Sequence, residues 1–217
     1  MLASASPRRL ALLRQIGLEP EVRPVDADET PHAGEAPEAL VARLAGAKAR
    51  SALETLAGEG PAGAGLVVVG ADTVVVHAGR ALGKPADRAD FLAGLRALSG
   101  RWHRVVTGVA VLGRDAAGAP LAPRCVEVVT RVRFAEVDDA AALAYWASGE
   151  PADKAGGYAL QGLGARFVER IEGSPSNVVG LPLHELALLL DAAGVRASYP
   201  RGPDGRETAG SAPNPPP

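Results

Sequence analysis

Cysteine occurs once in these 217 residues, at Cys125. No intramolecular disulfide and no cysteine-based zinc site can form, which fits a reducing cytosol. Cys125 stands at the head of an alternating apolar stretch and is expected to pack inertly. An excess of charge of either sign is missing too. The formal net charge of −2 argues against a general affinity for nucleic acid or acidic membranes and makes any anion site a local affair. No apolar run approaches the length of a membrane span. Arg8-Arg9 and the apolar residues after them match the start of a twin-arginine signal, but Arg14 cuts that run after four residues, so no export signal is read. The expectation is a cytoplasmic protein without a membrane or nucleic-acid partner.

What is present is ordinary for a globular protein: 47% hydrophobic and 22% charged residues, in a length that suits one domain or two intimately packed lobes. The stretch Leu66 to Val76 stands out. Two β-branched triplets read as buried strands. Between them lie Gly70, Ala71, Asp72 and Thr73, with the two small residues expected to leave open space. The carboxylate either caps a tight turn or binds a metal, a proton or a hydrogen-bond donor, because burial without a partner is costly.

Upstream, Ser6-Pro7 begins a helix with Ser as N-cap and Pro at the first position; Leu10, Leu13 and Ile16 give its apolar stripe and Gly17 ends it. Arg8 and Arg9 sit in its first turn, where the dipole already disfavours cations. They form either an anion site, with phosphate the commonest candidate, or a solvated basic turn. Asp26-Ala-Asp28-Glu29-Thr30 reads as a solvated loop that can equally supply a metal ligand or a base. A helix from Pro37 to about Leu56 buries Leu40 and Leu44, and Lys48 falls on the same face. That lysine either snorkels outward or points at something negative. Residues 58–63 match the dinucleotide-binding glycine pattern but follow a helix and lead into a strand, the reverse of the required context, so the match is a decoy.

Downstream, Asp87 caps a helix to Leu98, Trp102 to Leu112 is a strand, and Val126 to Phe134 alternates with period two. A helix from Asp138 to Ser148 follows, and another runs from Leu183 to about Ala193. Between them, Glu150 to Gly162 is glycine-rich and aperiodic, as functional segments often are. Irregular alternation of elements with a hairpin-like pair favours an α/β fold with a mixed sheet and flanking helices. One domain is expected over residues 1–197, with a Pro/Gly-rich tail over 198–217 that cannot bury a core.

Several of these segments match one family together. Ser4-Ala-Ser6-Pro7-Arg8-Arg9, Gly70-Ala-Asp72-Thr73, Leu82-Gly-Lys84-Pro85, Leu98-Ser-Gly-Arg101 and His103 to Gly108 resemble the Maf family of nucleoside triphosphate pyrophosphatases. So do Gly149 to Gly156, Gln161-Gly162 and Ser176-Asn-Val-Val-Gly-Leu-Pro182, in the family's order and approximate spacing, over about Leu2 to Leu190. Only Met1 and Leu2 precede Ala3-Ser4, where family members carry several apolar residues, so the expectation is either a shortened first strand or a true start that lies upstream.

The resemblance implies a twisted mixed sheet, two lobes around a deep cleft and a likeness to inosine-triphosphate pyrophosphatases. It implies hydrolysis of a nucleoside triphosphate to the monophosphate and pyrophosphate with a divalent cation, magnesium or manganese, in a homodimer. The family's proton acceptor falls on Asp72, and its specificity positions fall on Arg8, Thr73 and Gln161. Thr after the Asp, with Gln161, resembles the branch acting on dTTP and UTP. Ser6, Arg9, Lys48, Lys84 and Lys154 are the expected phosphate contacts, Asp153 matches a further polar position of the cleft, and Asp72 with Glu29 forms the expected metal site. Other readings are a branch acting on 7-methyl-GTP, CTP or pseudouridine triphosphate, and a nucleotide-binding regulator of septum formation.

Overall fold

The computed structural model describes residues 1–57 and 65–196; the glycine-pattern decoy at 58–63 and the tail from 198 lie outside the described residues. The order of elements is α1 (Pro7–Gln15), α2 (Pro37–Ala57), β1 (Val67–His77), β2 (Arg80–Leu82), α3 (Arg88–Leu98), β3 (Trp102–Gly113) and β4 (Arg124–Phe134), then α4 (Asp139–Ala147), β5 (Val168–Glu172), α5 (Pro175–Val179) and α6 (Leu183–Ala192). Among the described residues no helix is long and apolar enough to cross a membrane.

The five strands form one sheet in the order β2-β1-β3-β4-β5, antiparallel at every junction. Its parallel component comes from Leu2, which bridges to both Val22 and Val69. The first strand is thus reduced to a single bridging residue, with the Met1 ammonium donating to Val67 O at 2.8 Å. The two apolar triplets around Asp72 are parts of one uninterrupted strand. No turn separates them, and the reading of Asp72 as a turn cap is excluded. β1 carries apolar residues on both sides because both of its faces are covered. Pro175–Val179 form the short helix α5, whose first turn is capped by Ser174 Oγ accepting from Asn177 N–H.

On one face lies α2 alone. Gly70 and Gly108 make this possible: a Cβ at Gly70 would stand 2.3 Å from Ala45 O, and one at Gly108 would stand 2.4 Å from Val41 O. The space expected around Gly70 is therefore filled by helix backbone. On the other face are two apolar bodies. Phe91, Leu95, Phe134, Tyr145, Tyr158 and Phe167 build one with α3 and α4; Leu12, Leu13, Val69, Val109, Leu186 and Leu190 build the other with α1 and α6. The sheet is common to both, and the deep cleft lies along the β1 edge, lined by Leu40, Leu44 and Lys48 of α2 as well as by residues of α1 and of the segment around Tyr158.

β4 alternates as its sequence predicts, with Thr130, Val132 and Phe134 buried, but Cys125 falls on the opposite face and is exposed. Its register partner Ala110 packs on α2, so Cys125 lies on the α2 face of the sheet yet is exposed there, and its expected packing role is corrected.

His103 is a buried polar residue whose Nε2 lies 2.8 Å from Tyr158 Oη, with Nδ1 unpartnered. Burial first, and the neighbouring His77 second, press its pKa from the usual 6.5 to about 4. Above pH 6.5 the ring is neutral folded or unfolded; between there and about 4 only the unfolded chain takes up the proton. Stability is therefore lost as pH falls through that window, by about 3 kcal/mol in total. Urea unfolding at about pH 7 and about pH 4 is expected to show this loss reduced by that amount in His103→Gln. An equal acid loss in both proteins would mean that His103 is not held neutral.

Candidate active site

The cleft opens where the edge of β1 has no neighbour. Ala3 N–H donates to Val69 O at 2.8 Å on one side, and β2 pairs with β1 from Val75 onward on the other. Ala71 to Thr73 lie between, along the floor. Successive strand residues point to opposite faces, so Asp72 turns toward α2 and Thr73 toward α1 and α5. One strand thereby delivers two functional groups to two walls.

On the α2 wall, Lys48 Nζ donates to Asp72 Oδ1 at 2.7 Å and to Glu29 Oε1 at 2.6 Å. Lys48 is 9% exposed, so it is an inward lysine, and the snorkelling alternative is excluded. The acidic loop that brings Glu29 here is tied back to α2: Arg43 Nη2 donates to Thr30 O at 3.1 Å, and Arg43 Nε to Glu35 at 2.7 Å. The Lys48 hydrogen bond holds the Glu29 carboxyl below its ordinary pKa, against a smaller opposing effect of burial. The second oxygens of Asp72 and Glu29 make no hydrogen bond among the described residues.

On the α1 wall, Arg9 is a strut. Its Nε donates to Gly180 O at 2.9 Å, Nη1 to Ser4 Oγ at 3.1 Å and Nη2 to Thr73 Oγ1 at 3.1 Å. Burial lowers its pKa from the ordinary arginine value, partly offset by the charge of Asp72. Thr73 Oγ1 also lies 2.9 Å from Thr107 Oγ1 and 3.4 Å from Gly180 O, so this hydroxyl is fully engaged by protein. Ser6 occupies the N-cap position of α1 but its side chain makes no capping bond. The first N–H groups of α1 and the Ser6 hydroxyl remain for the cleft. Arg8 reaches across it to Asp153 at 3.5 Å, and Lys154 pairs with the same carboxylate, whose pKa it lowers.

All the residues expected from the sequence, Ser6, Arg8, Arg9, Glu29, Lys48, Asp72, Thr73, Lys84, Asp153, Lys154 and Gln161, line this one cleft of about 660 Å³, a size typical of small-molecule sites. Five cations face three carboxylates there, a local excess of positive charge in a chain of net charge −2. Ser4, Thr107, Tyr158 and Gly180 also belong to the site and were not singled out from the sequence. Only Thr107 lies inside a regular element, and none of the four carries a charge, so none gives a signal of a site until the chain is packed.

A family model described as "Maf-like protein" matches residues 1–193. The chain belongs to the Maf family. Among its relatives, a protein named dTTP/UTP pyrophosphatase from an Anaeromyxobacter species is 48% identical over 213 residues, covering 98% of both chains. A protein of the same name from a Shewanella species is 50% identical over 203 residues, covering 90% of this chain and 98% of its own. A third, from Hahella chejuensis, is 43% identical over 196 residues, covering 90% of this chain and 92% of its own. The similarity spans the whole Maf domain, so every cleft residue described above lies inside it.

Proposed function

We propose that this Maf protein hydrolyses nucleoside triphosphates, dTTP and UTP foremost, to the monophosphate and pyrophosphate. The observation that carries the reading is the convergence of Asp72, Lys48 and the N-terminus of α1 on one cationic cleft, in a chain similar throughout to proteins named for that reaction. Water attacks the α-phosphorus and gives a proton to Asp72; the bond from that phosphorus to the bridging oxygen breaks, and pyrophosphate leaves. Asp72 suits the role of base because Lys48 engages only Oδ1, which leaves Oδ2 for a water within hydrogen-bond reach. Ser6, Arg8, Lys84, Lys154 and the free N–H groups of α1 bind the phosphates. Arg9 contributes to them indirectly, since its guanidinium is largely spent on Ser4, Thr73 and Gly180.

A divalent cation, magnesium or manganese, fits the donor set. Asp72 and Glu29 present oxygen ligands with one oxygen of each uncommitted, and no cluster of three metal-ligating side chains exists among the described residues. Magnesium commonly uses one or two carboxylates, completed by water and substrate phosphates. Bound there, such an ion supplies charge neutralisation at the reacting phosphates. The reading also makes the protein a homodimer, as the family resemblance implies, and a cytoplasmic one, a compartment with which the single unpaired Cys125 is compatible.

Gln161 is exposed at the cleft wall, and its amide offers a donor and an acceptor complementary to the edge of uracil or thymine. Purines would leave those groups mispaired, which is the stronger route to selectivity. The test is pyrophosphate release across dTTP, UTP, CTP, GTP and modified triphosphates, with and without divalent metal, for the wild type and Gln161→Glu. The expected result is metal-dependent turnover greatest with dTTP and UTP, and a dTTP/GTP ratio changed at least about tenfold in the variant. Absence of turnover on the whole panel would overturn the enzyme reading, and an unchanged ratio would remove Gln161 from base selection.

A further inference from the structure

Gln161 sits on a turn between two short 3-10 helices, Ala155–Gly157 and Leu163–Phe167, yet a base-selecting amide must be held to a fraction of an ångström to discriminate. The hydrogen bonds flanking it show what holds it. On the C-terminal side, Leu163 N–H donates to Glu150 Oε2 at 2.8 Å and Gly164 N–H donates to Glu150 Oε1 at 3.0 Å. On the N-terminal side, Ala159 N–H donates to Tyr145 Oη at 3.2 Å. Tyr145 O–H in turn donates to Glu150 Oε1 at 2.7 Å. Both flanks of Gln161 are therefore fastened to a single carboxylate–phenol pair.

That pair is itself firmly based. Tyr145 is 4% exposed, on α4, and belongs to the larger apolar body, where its ring meets Phe91 and Phe167. Glu150 N–H donates to Ser148 Oγ at 3.3 Å, and Pro151, buried, starts the turn that follows. Room for the carboxylate exists only because residue 162 is glycine: a Cβ there would lie 2.2 Å from Glu150 Oε2. The Gln-Gly pair thus has a physical reason, since the glycine admits the group that positions the glutamine. Burial acts to raise the Glu150 pKa, but the donors Tyr145, Gly164 and Leu163 outweigh it and keep the carboxyl below its ordinary range.

We propose that Glu150 is a positioning residue for nucleobase selection, acting through Tyr145 and the backbone on both sides of Gln161. Glu150 is not among the residues that line the cleft, whereas Asp72 and Gln161 are. The inference rests on Gln161 being the base selector. Its experiment is built so that the two can fail separately.

Glu150→Gln is nearly isosteric, but it turns an acceptor-only group into one with an amide donor facing the Leu163 and Gly164 donors. The measured quantities are kcat and KM for UTP, dTTP and GTP in the wild type, Glu150→Gln, Gln161→Ala and the double variant. In Glu150→Gln, KM for UTP and dTTP is expected to rise about tenfold with kcat within about twofold, because uniform binding is lost. The UTP/GTP ratio of kcat/KM is expected to fall about tenfold. In the Gln161→Ala background, Glu150→Gln is expected to change that ratio by less than about twofold, the non-additivity of a residue acting through its neighbour. Tyr145→Phe, which keeps the core ring and removes one donor, is expected to move the ratio in the same direction and keeps the test open if Glu150→Gln folds poorly. If Gln161→Ala alters the ratio while Glu150→Gln and Tyr145→Phe do not, the positioning role is overturned. An equal loss on all three nucleotides in Glu150→Gln, with the ratio intact, overturns it as well. A ratio unmoved by Gln161→Ala overturns the base-selection reading itself, and the positioning role with it.

Discussion

Asp72→Asn is expected to lose at least about a hundredfold in turnover while the fold survives, a barrier increase of about 2.7 kcal/mol or more. Asparagine keeps the shape of the side chain and an oxygen able to accept from Lys48, but it cannot take a proton from water. The effect on stability is small by comparison. Lys48 retains Glu29 at 2.6 Å, so the substitution leaves no buried cation without a carboxylate. Half of the charge-assisted pairing is exchanged for a neutral hydrogen bond, a change of about 1 kcal/mol. Pyrophosphate release at saturating dTTP, alongside circular dichroism and urea unfolding, separates the two effects. Retention of more than about a tenth of wild-type turnover, a loss under about 1.4 kcal/mol, would remove Asp72 from the reaction.

Packing supports Asp72 in that proposed role more than the motif does. In the sequence, Asp72 was a carboxylate between apolar triplets, open to being a turn cap. Lys48 was a lysine on an apolar helix face, with two readings. Each ambiguity resolves the other once α2 lies on β1, because the inward Lys48 donates to Asp72 of the sheet at 2.7 Å. Period-two and period-3.6 patterns made most elements readable, since they depend on local geometry alone. Thr73 was harder. As a strand residue it advertises β propensity and nothing else, and its engagement by Arg9, Thr107 and Gly180 joins α1, β1, β3 and the C-cap of α5. Arg9 was legible as a cation at a helix N-terminus but not as a strut, because its three acceptors lie up to 171 residues away. The exposure of Cys125 followed from register, which one strand read in isolation does not fix.

The geometry on which all of this depends is the contact between α2 and the sheet, and it has a sharp test in glycine. Gly108→Ala places a Cβ 2.4 Å from Val41 O and 2.8 Å from Ala42 N, both backbone atoms of a helix that cannot rotate them aside. Relief requires lifting α2 from β3, so destabilisation is expected at about 3 kcal/mol or more, the upper range of overpacking. Gly46→Ala, inside the same helix, is the counterpart, because nothing lies within 4 Å of a Cβ there. It is expected to stabilise by about 0.5–1 kcal/mol through helix propensity alone. One chemical change in two places thus gives opposite signs, read by urea unfolding of the two variants. Lifting α2 also withdraws Lys48 from Asp72, so Gly108→Ala is expected to lose activity beyond its unfolded fraction, at temperatures where it is still folded, and Gly46→Ala is not. A Gly108→Ala protein within about 1 kcal/mol of wild type would mean that α2 is not seated on the sheet through this glycine, and the pairing that orients the proposed catalytic carboxylate would lose its support with it.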